Sequence, residues 1–135
     1  MLWLDFRSKR SSSQAVFRQG VVPQPLPEGD YKGSVASYSG DWIGKTFDAK
    51  RAMGKNLFRS PNGAEQRYPF RTLVGPGLAD PIPVMKIDYD IDGNPAWLRG
   101  ILDEIVQVAP GHYLGRIHLR LGPMHVSVGY LELRK

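Results

Sequence analysis

The chain contains no cysteine. A disulfide framework, a thiolate metal site and a cysteine nucleophile are therefore all excluded. A reducing compartment fits this, and the cytoplasm is the expected location. Long apolar runs are also missing: nothing approaches the roughly 18–20 residues of a membrane-spanning helix. The segment Met1-Leu2-Trp3-Leu4-Asp5-Phe6 is too short for a signal-peptide core. Its charges, Arg7, Lys9 and Arg10, follow the apolar stretch, whereas a signal peptide carries them in front. There is no phosphate loop, dinucleotide fingerprint or nucleophile elbow. Gly29-x-x-x-Gly33 and Gly75-Pro76-Gly77 lack the contexts those motifs need, so no cofactor is expected. The histidines His112, His118 and His125 have no helical metal-ligand spacing, and no metal site is expected either. His118 and His125 fall on neighbouring strands of a hairpin and can approach one another.

What the chain does have is turn-forming residues. Its 135 residues include 15 Gly and 11 Pro, a composition suited to many short strands joined by tight turns. The length fits one core. The net charge of +5 is uneven: residues 1–60 hold ten Lys/Arg against five Asp/Glu, and residues 61–135 hold eight against eight.

Residues 1–28 read as an N-terminal leader, extended or partly helical. Ser11-Ser12-Ser13 and Pro23-Gln24-Pro25-Leu26-Pro27 favour extended chain, and Ala15-Val16-Phe17-Arg18 between them suits a turn of helix. Leu2, Trp3, Leu4 and Phe6 offer a surface for packing on the domain or for peripheral membrane contact. From residue 29 to 135 the pattern is that of a barrel domain. The expected strands are 30–38, 42–49, 53–60, 66–74, 83–91, 103–108, 112–121 and 124–134. Pro69 removes a ladder donor and marks an edge, a bulge or a bend. Asn94 and Pro95 read as N-cap and first residue of one short helix through Arg99. Even spacing of about eight strands predicts a mainly β fold, a single antiparallel up-and-down barrel. Such a barrel has room inside for side chains or one small ligand.

The candidate chemistry is sparse. Met85, Ile87, Tyr89 and Ile91 form a uniformly apolar strand face, so that face belongs in the core and Lys86 and Asp88 outside. If instead they face inward, Lys86 and Asp88 would form a buried pair of the kind that carries perturbed pKa values. Together with His118 they are the candidates for proton transfer. Asp103 and Glu104 are adjacent on a strand, point to opposite faces, and cannot act on one substrate atom; Asp103 reads as a capping or ion-paired residue. Trp42, Phe47, Phe58, Tyr89 and Trp97 are candidate wall or lid residues of a ligand cavity, with Lys45, Asn56, Arg71 and Lys86 as polar anchors. Aromatic and basic residues also interleave across Trp42–Arg71, as on a nucleic-acid stacking platform. The same pattern describes an ordinary half-buried strand, and a nucleic-acid partner is not expected.

Several segments together carry a resemblance. They are Leu26-Pro-Glu-Gly-Asp-Tyr-Lys-Gly33, Trp42-Ile-Gly-Lys-Thr-Phe47, Tyr68-Pro-Phe-Arg-Thr72 with Val74-Gly-Pro-Gly77, Met85-Lys-Ile-Asp-Tyr-Asp90, and Asp103-Glu-Ile-Val-Gln-Val-Ala-Pro-Gly-His-Tyr-Leu-Gly115. They resemble a family of small uncharacterised bacterial proteins, itself similar to calycin-like (lipocalin-like) barrels. The first strand departs from the lipocalin pattern, with Gly29-Asp30-Tyr31 where a lipocalin carries Gly-x-Trp, and the lipocalin C-terminal helix is missing. The resemblance implies a cavity open at one end and says nothing about its ligand.

Three functional readings follow. The first is a module binding an apolar or amphipathic small molecule. The second is a cofactor-free isomerase, cyclase or lyase on the same barrel. The third is a basic surface for nucleic acid or anionic membrane. Neither the enzyme question nor the oligomeric state is decided by the sequence.

Overall fold

Alternating side chains and glycine-rich turns close the chain into one eight-stranded antiparallel barrel. The computed structural model describes residues 12–36 and 40–135. The expected turn at Ser39 and the apolar residues Leu2, Trp3, Leu4 and Phe6 lie outside the described residues. The strands are β1 (Gly29–Val35), β2 (Trp42–Asp48), β3 (Met53–Ser60), β4 (Gly63–Pro76), β5 (Pro83–Asp88), β6 (Ile101–Ala109), β7 (His112–Leu121) and β8 (Met124–Arg134). Each pairs with the next in sequence, and β1 pairs with β8, Lys32 opposite Arg134. Closure leaves no sheet edge unpaired.

Among the described residues two helices accompany the barrel: α1, over residues 12–19, and α2, Ala96–Arg99. The expected N-cap of the second is corrected. Pro95 occupies that position with extended backbone, and no side chain caps the helix. Asn94 is buried instead, and its amide donates to the Pro69 and Tyr89 carbonyls, at 2.8 and 3.0 Å.

The interior is layered. From the half of the barrel away from α2 up to the pocket side, Tyr113, Tyr31, Phe47, Phe70 and Tyr89 form an edge-to-face chain with centroids 5.5–5.6 Å apart. This geometry suits aromatic quadrupoles, and with Met85, Ile87, Ile105, Leu131 and Leu133 it fills that half with side chains. A smaller cluster lies on the outer surface, where Phe17 of α1 is wholly buried among Val84, Val106 and Leu114. Val21 continues the attachment through a backbone bridge to Gln107. The segment before the first strand is thus fastened to the barrel wall by apolar burial and one bridge.

Two of the register irregularities shape the pocket in the other half. Between Trp42 and Gly44 the β2–β3 register shifts, so Trp42 and Lys45, three residues apart, both reach the interior. A Cβ on Gly44 would lie 2.0 Å from the Tyr31 carbonyl oxygen, and one on Gly33 would strike the Trp42 ring at 2.3 Å. Gly33 is needed for Trp42 to take its place, and Gly44 for β1 to approach β2. The second irregularity is the shift between Gly54 and Asn56 opposite Pro69, a bulge, where the strand proline left an edge, a bulge or a bend open. Tyr68 there is left-handed, with φ 58°. The carbonyls of Tyr68 and Pro69 accept hydrogen bonds from the Asn56 amide, at 3.1 Å, and from the Asn94 amide. Two buried amides therefore hold the bulge in shape.

Candidate functional site

The connections β1–β2, β3–β4, β5–α2–β6 and β7–β8 gather at one end of the barrel, and there the interior opens. A pocket of about 370 Å³ is lined by Val35, Trp42, Asn56, Phe58, Tyr68, Tyr89, Trp97 and Leu98. Its walls are mostly aromatic. Phe58 and Tyr68 meet edge to face at 5.6 Å, and Tyr68 and Trp97 at 5.7 Å, so neighbouring walls stand nearly at right angles. Trp97, on α2, is 65% exposed and forms the rim. A larger depression of about 500 Å³ lies beside it, bordered by Lys32, Ser34, Trp42 and Arg59. We place the site in the smaller one, because only its lining includes Asn56 and Tyr89, members of a buried polar cluster.

That cluster forms the floor. Lys45 on β2, Asn56 on β3, Tyr89 after β5 and Asp103 on β6 converge inside the barrel, all buried. The Lys45 ammonium donates to Asn56 Oδ1 at 2.9 Å and to the Tyr89 hydroxyl, and lies 3.3 Å from Asp103 Oδ2. It also sits 5.2–5.5 Å from the centroids of the Trp42, Phe70 and Tyr89 rings, a cation–π enclosure that partly replaces lost hydration. Trp42 Nε1 donates to Asn56 Oδ1 at 2.9 Å, and Asn56 Nδ2 donates to Tyr89 Oη at 2.9 Å. Burial works to lower the Lys45 pKa, but Tyr89 and Asp103 outweigh it and hold the group above its ordinary value, so it stays protonated. Burial pushes the Asp103 carboxyl up, against the pull of Lys45. Burial likewise raises the Tyr89 phenol, with Lys45 opposing.

The remaining candidate residues lie on the outer face of the wall. Asp88 joins Arg71 at 3.2 Å and Arg120 at 3.0 Å. Lys86 joins Glu104 at 2.7 Å. Glu104 also accepts from the Leu78 backbone N–H at 3.1 Å and from His118 Nε2 at 3.2 Å. Burial acts to raise its pKa, but His118, Lys86 and the Leu78 amide prevail and hold it below the usual carboxylate value. On the other side of the buried His118 ring, Nδ1 lies 3.1 Å from Ser127 Oγ. Ser127, His118 and Glu104 thus lie in one hydrogen-bonded line. The pocket described above does not reach them. The His118 ring packs edge-on against His125 at 5.8 Å, the approach expected of the hairpin. Beside this group, Asp80 is clamped by Arg116 and Arg18, both at 2.8 Å.

The structure therefore brings together Trp42, Lys45, Asn56, Phe58 and Tyr89, with Trp97 at the rim and Phe47 in the filled half below. It sets Arg71, Lys86, Asp88 and His118 apart from them, on the outside. Asp103 is the inner residue that sequence reasoning assigned no part in a site. A signal was present: it shares strand parity with Ile101 and Ile105, which marks it as inward. Its neighbours Leu102, Glu104 and Val106 are buried too, so the two faces of β6 could not be told apart by polarity. Tyr68 was hidden by the bulge that turns it inward. Val35 and Leu98 were hidden because apolar residues are expected in any core.

Among the described residues no helix is long and apolar enough to cross a membrane. No protein-family model matches the chain, and no curated protein matches it. Among solved structures, a protein from Thermomonospora curvata is similar, with a TM-score of 0.67 at 18% identity, covering 93% of this chain and 86% of that one. The likeness spans the barrel and establishes a shared fold.

Proposed function

We propose that this protein is a calycin-like ligand-binding barrel that takes an apolar or amphipathic small molecule at its open end, in the reducing cytoplasm that its cysteine-free sequence suits. The observation carrying this is the pocket of about 370 Å³, aromatic on its walls and with Asn56 and Tyr89 as polar atoms at its base. Pockets of this size, mostly apolar with few fixed polar groups, are the usual form of small-molecule sites. Three strands and the residue that follows β5 converge their polar side chains on one point beneath it, which costs desolvation that an apolar filling would avoid. Trp97 supports the same reading. It stands exposed at the rim and packs on Tyr68, a position from which it can cover an occupant.

The test is titration with a neutral fluorescent hydrophobe, N-phenyl-1-naphthylamine, followed by energy transfer from tryptophan. Saturable binding at one site is expected, weakened several-fold by Trp97→Ala. No saturable binding by the wild-type protein at micromolar concentration would dismiss the reading.

A further inference from the structure

The polar groups under the pocket are engaged with one another. Asn56 Oδ1 accepts from Trp42 and Lys45, and Asn56 Nδ2 donates to the Tyr68 carbonyl and to Tyr89 Oη. The Lys45 ammonium is shared among Asn56, Tyr89 and Asp103. A ligand's polar group carried to this depth would shed its hydration and find no partner. The inner end of an occupant is therefore apolar, and a polar head belongs toward the mouth.

One side of the mouth can receive such a head. The β1–β2 ladder ends at Lys32 and Gly44. Beyond it, Gly33–Val35 pair with β8 and Trp42 pairs with Phe58 of β3, so the two strands part. The depression of about 500 Å³ lies at this parting. Its lining combines inward strand positions, Gly33, Val35 and Trp42, with outward ones, Lys32, Ser34 and Arg59. Val35 and Trp42 also line the aromatic pocket. The two hollows thus adjoin at these residues, and the depression joins the edge of the pocket to the outer face of the wall.

The charge there is of one sign. Lys32 and Arg59 are the charged residues of the depression, and among the described residues neither forms an ion pair with a carboxylate. Other arginines toward this end are already matched: Arg67 by Glu65, Arg99 by Asp90 and Arg120 by Asp88. Asp41 meets Arg59 through the backbone, its carbonyl accepting from the Arg59 N–H at 2.7 Å, a bond that does not involve the guanidinium.

Resting on the ligand-binding reading above, we propose that the ligand is an amphiphilic anion, its apolar body in the aromatic pocket and its carboxylate head at the β1–β2 parting, between Lys32 and Arg59. Trp42 is the ridge between body and head, held by its 2.9 Å bond to Asn56 and by close packing on Gly33.

The experiment measures displacement of N-phenyl-1-naphthylamine from the full chain by three probes that share one tail: dodecanoate, 1-dodecanol and dodecyltrimethylammonium, each below its micellar concentration. Dodecanoate is expected to bind about fivefold more tightly than dodecanol, the weight of two exposed charge pairs, with the ammonium weakest. Raising salt from about 20 mM to about 0.5 M should narrow the gap. Lys32→Met/Arg59→Met should erase the preference for dodecanoate and leave dodecanol affinity in place. Lys50→Met/Arg51→Met removes the same charge from the β2–β3 turn at the other end of the barrel and should keep the preference, which separates a local site from the net charge of +5. No displacement by dodecanoate, equal affinity for dodecanoate and dodecanol, a preference that survives Lys32→Met/Arg59→Met, or an equal loss in the Lys50/Arg51 variant would overturn the proposal and leave the pocket standing. Failure of N-phenyl-1-naphthylamine itself to bind saturably would instead remove the ligand-binding reading, and this proposal with it.

Discussion

Two of the buried ionic clusters in the barrel wall lie on opposite faces, and they are solved differently. Inside, Lys45 faces one carboxylate, Asp103, with a phenol, an amide and three aromatic rings making up the rest of its surroundings. Outside, Glu104 is surrounded by donors: a lysine, a histidine and a backbone N–H. The consequence is opposite displacement of the two carboxyls, Asp103 upward and Glu104 downward. The outer cluster is beneath chain, since the segment around Leu78 and Asp80 and helix α1 are fastened over that face. The inner one lies under an opening. Clusters of similar composition thus do different work: one anchors a strap of chain, the other floors a cavity.

The largest expected effect tests that asymmetry. Lys45→Met leaves the buried Asp103 without its cation and should cost about 3–5 kcal/mol in chemical denaturation, with the double variant Lys45→Met/Asp103→Leu recovering most of the loss. Lys86→Met should cost less, about 1–2 kcal/mol, because Glu104 keeps His118 and the Leu78 amide. Equal losses from the two lysines would remove the distinction between the clusters.

The acid limb of stability separates them next. Glu104 is depressed below its ordinary 4.5, so its contribution is complete above that value and is lost as pH falls through the folded-state pKa. Asp103 is raised, so protonation relieves the cost of burying its charge, and acid favours the folded state through this group. Urea midpoints measured from neutral pH down to about pH 3 should therefore fall for the wild type, and less steeply for Glu104→Gln. Asp103→Asn should not flatten that limb; if it does, the inner carboxyl has been given the wrong direction. At the alkaline end, Lys45 is held above its ordinary 10.5. Its contribution persists below that pH and is lost as pH rises through the folded value.

The smallest effect on stability belongs to the rim. Trp97 is 65% exposed, and Trp97→Ala should shift the folding free energy by less than about 1 kcal/mol. Its effect should appear in ligand affinity. A large stability loss would make it a structural prop instead of part of the mouth.

Much of the fold was legible. Turn residues and period-two alternation fixed β3, β7 and β8 to the residue, because Pro61-Asn62-Gly63, Ala109-Pro110-Gly111 and Gly122-Pro123 leave the chain few ways to continue. The end of β5 was overrun: Tyr89 and Ile91 keep the apolar period after the ladder stops at Asp88. Face assignment was legible where one side was purely apolar, as with Met85 and Ile87, and it put Lys86 and Asp88 outside, where the structure has them. It did not reach Lys45 and Asn56, which residue type alone named as candidate polar anchors and which the structure has inside. A polar residue opposite apolar neighbours looks solvent-facing unless its partners are known, and those partners come from β5 and β6.

The sequence by itself determined the number of strands, their order around the barrel, the place of the short helix and a break in regular pairing at Pro69. These depend on local preferences: glycine and proline punctuation, alternation, and the missing donor of one proline. Only the tertiary structure decided which half of the barrel is filled and which is hollow. It alone matched Lys45 to Asp103 across 58 positions of sequence, a pairing that exists only once closure brings β2 and β6 to face each other across the interior. Burial and pairing depend on what lies across that interior, and a linear pattern carries no record of it.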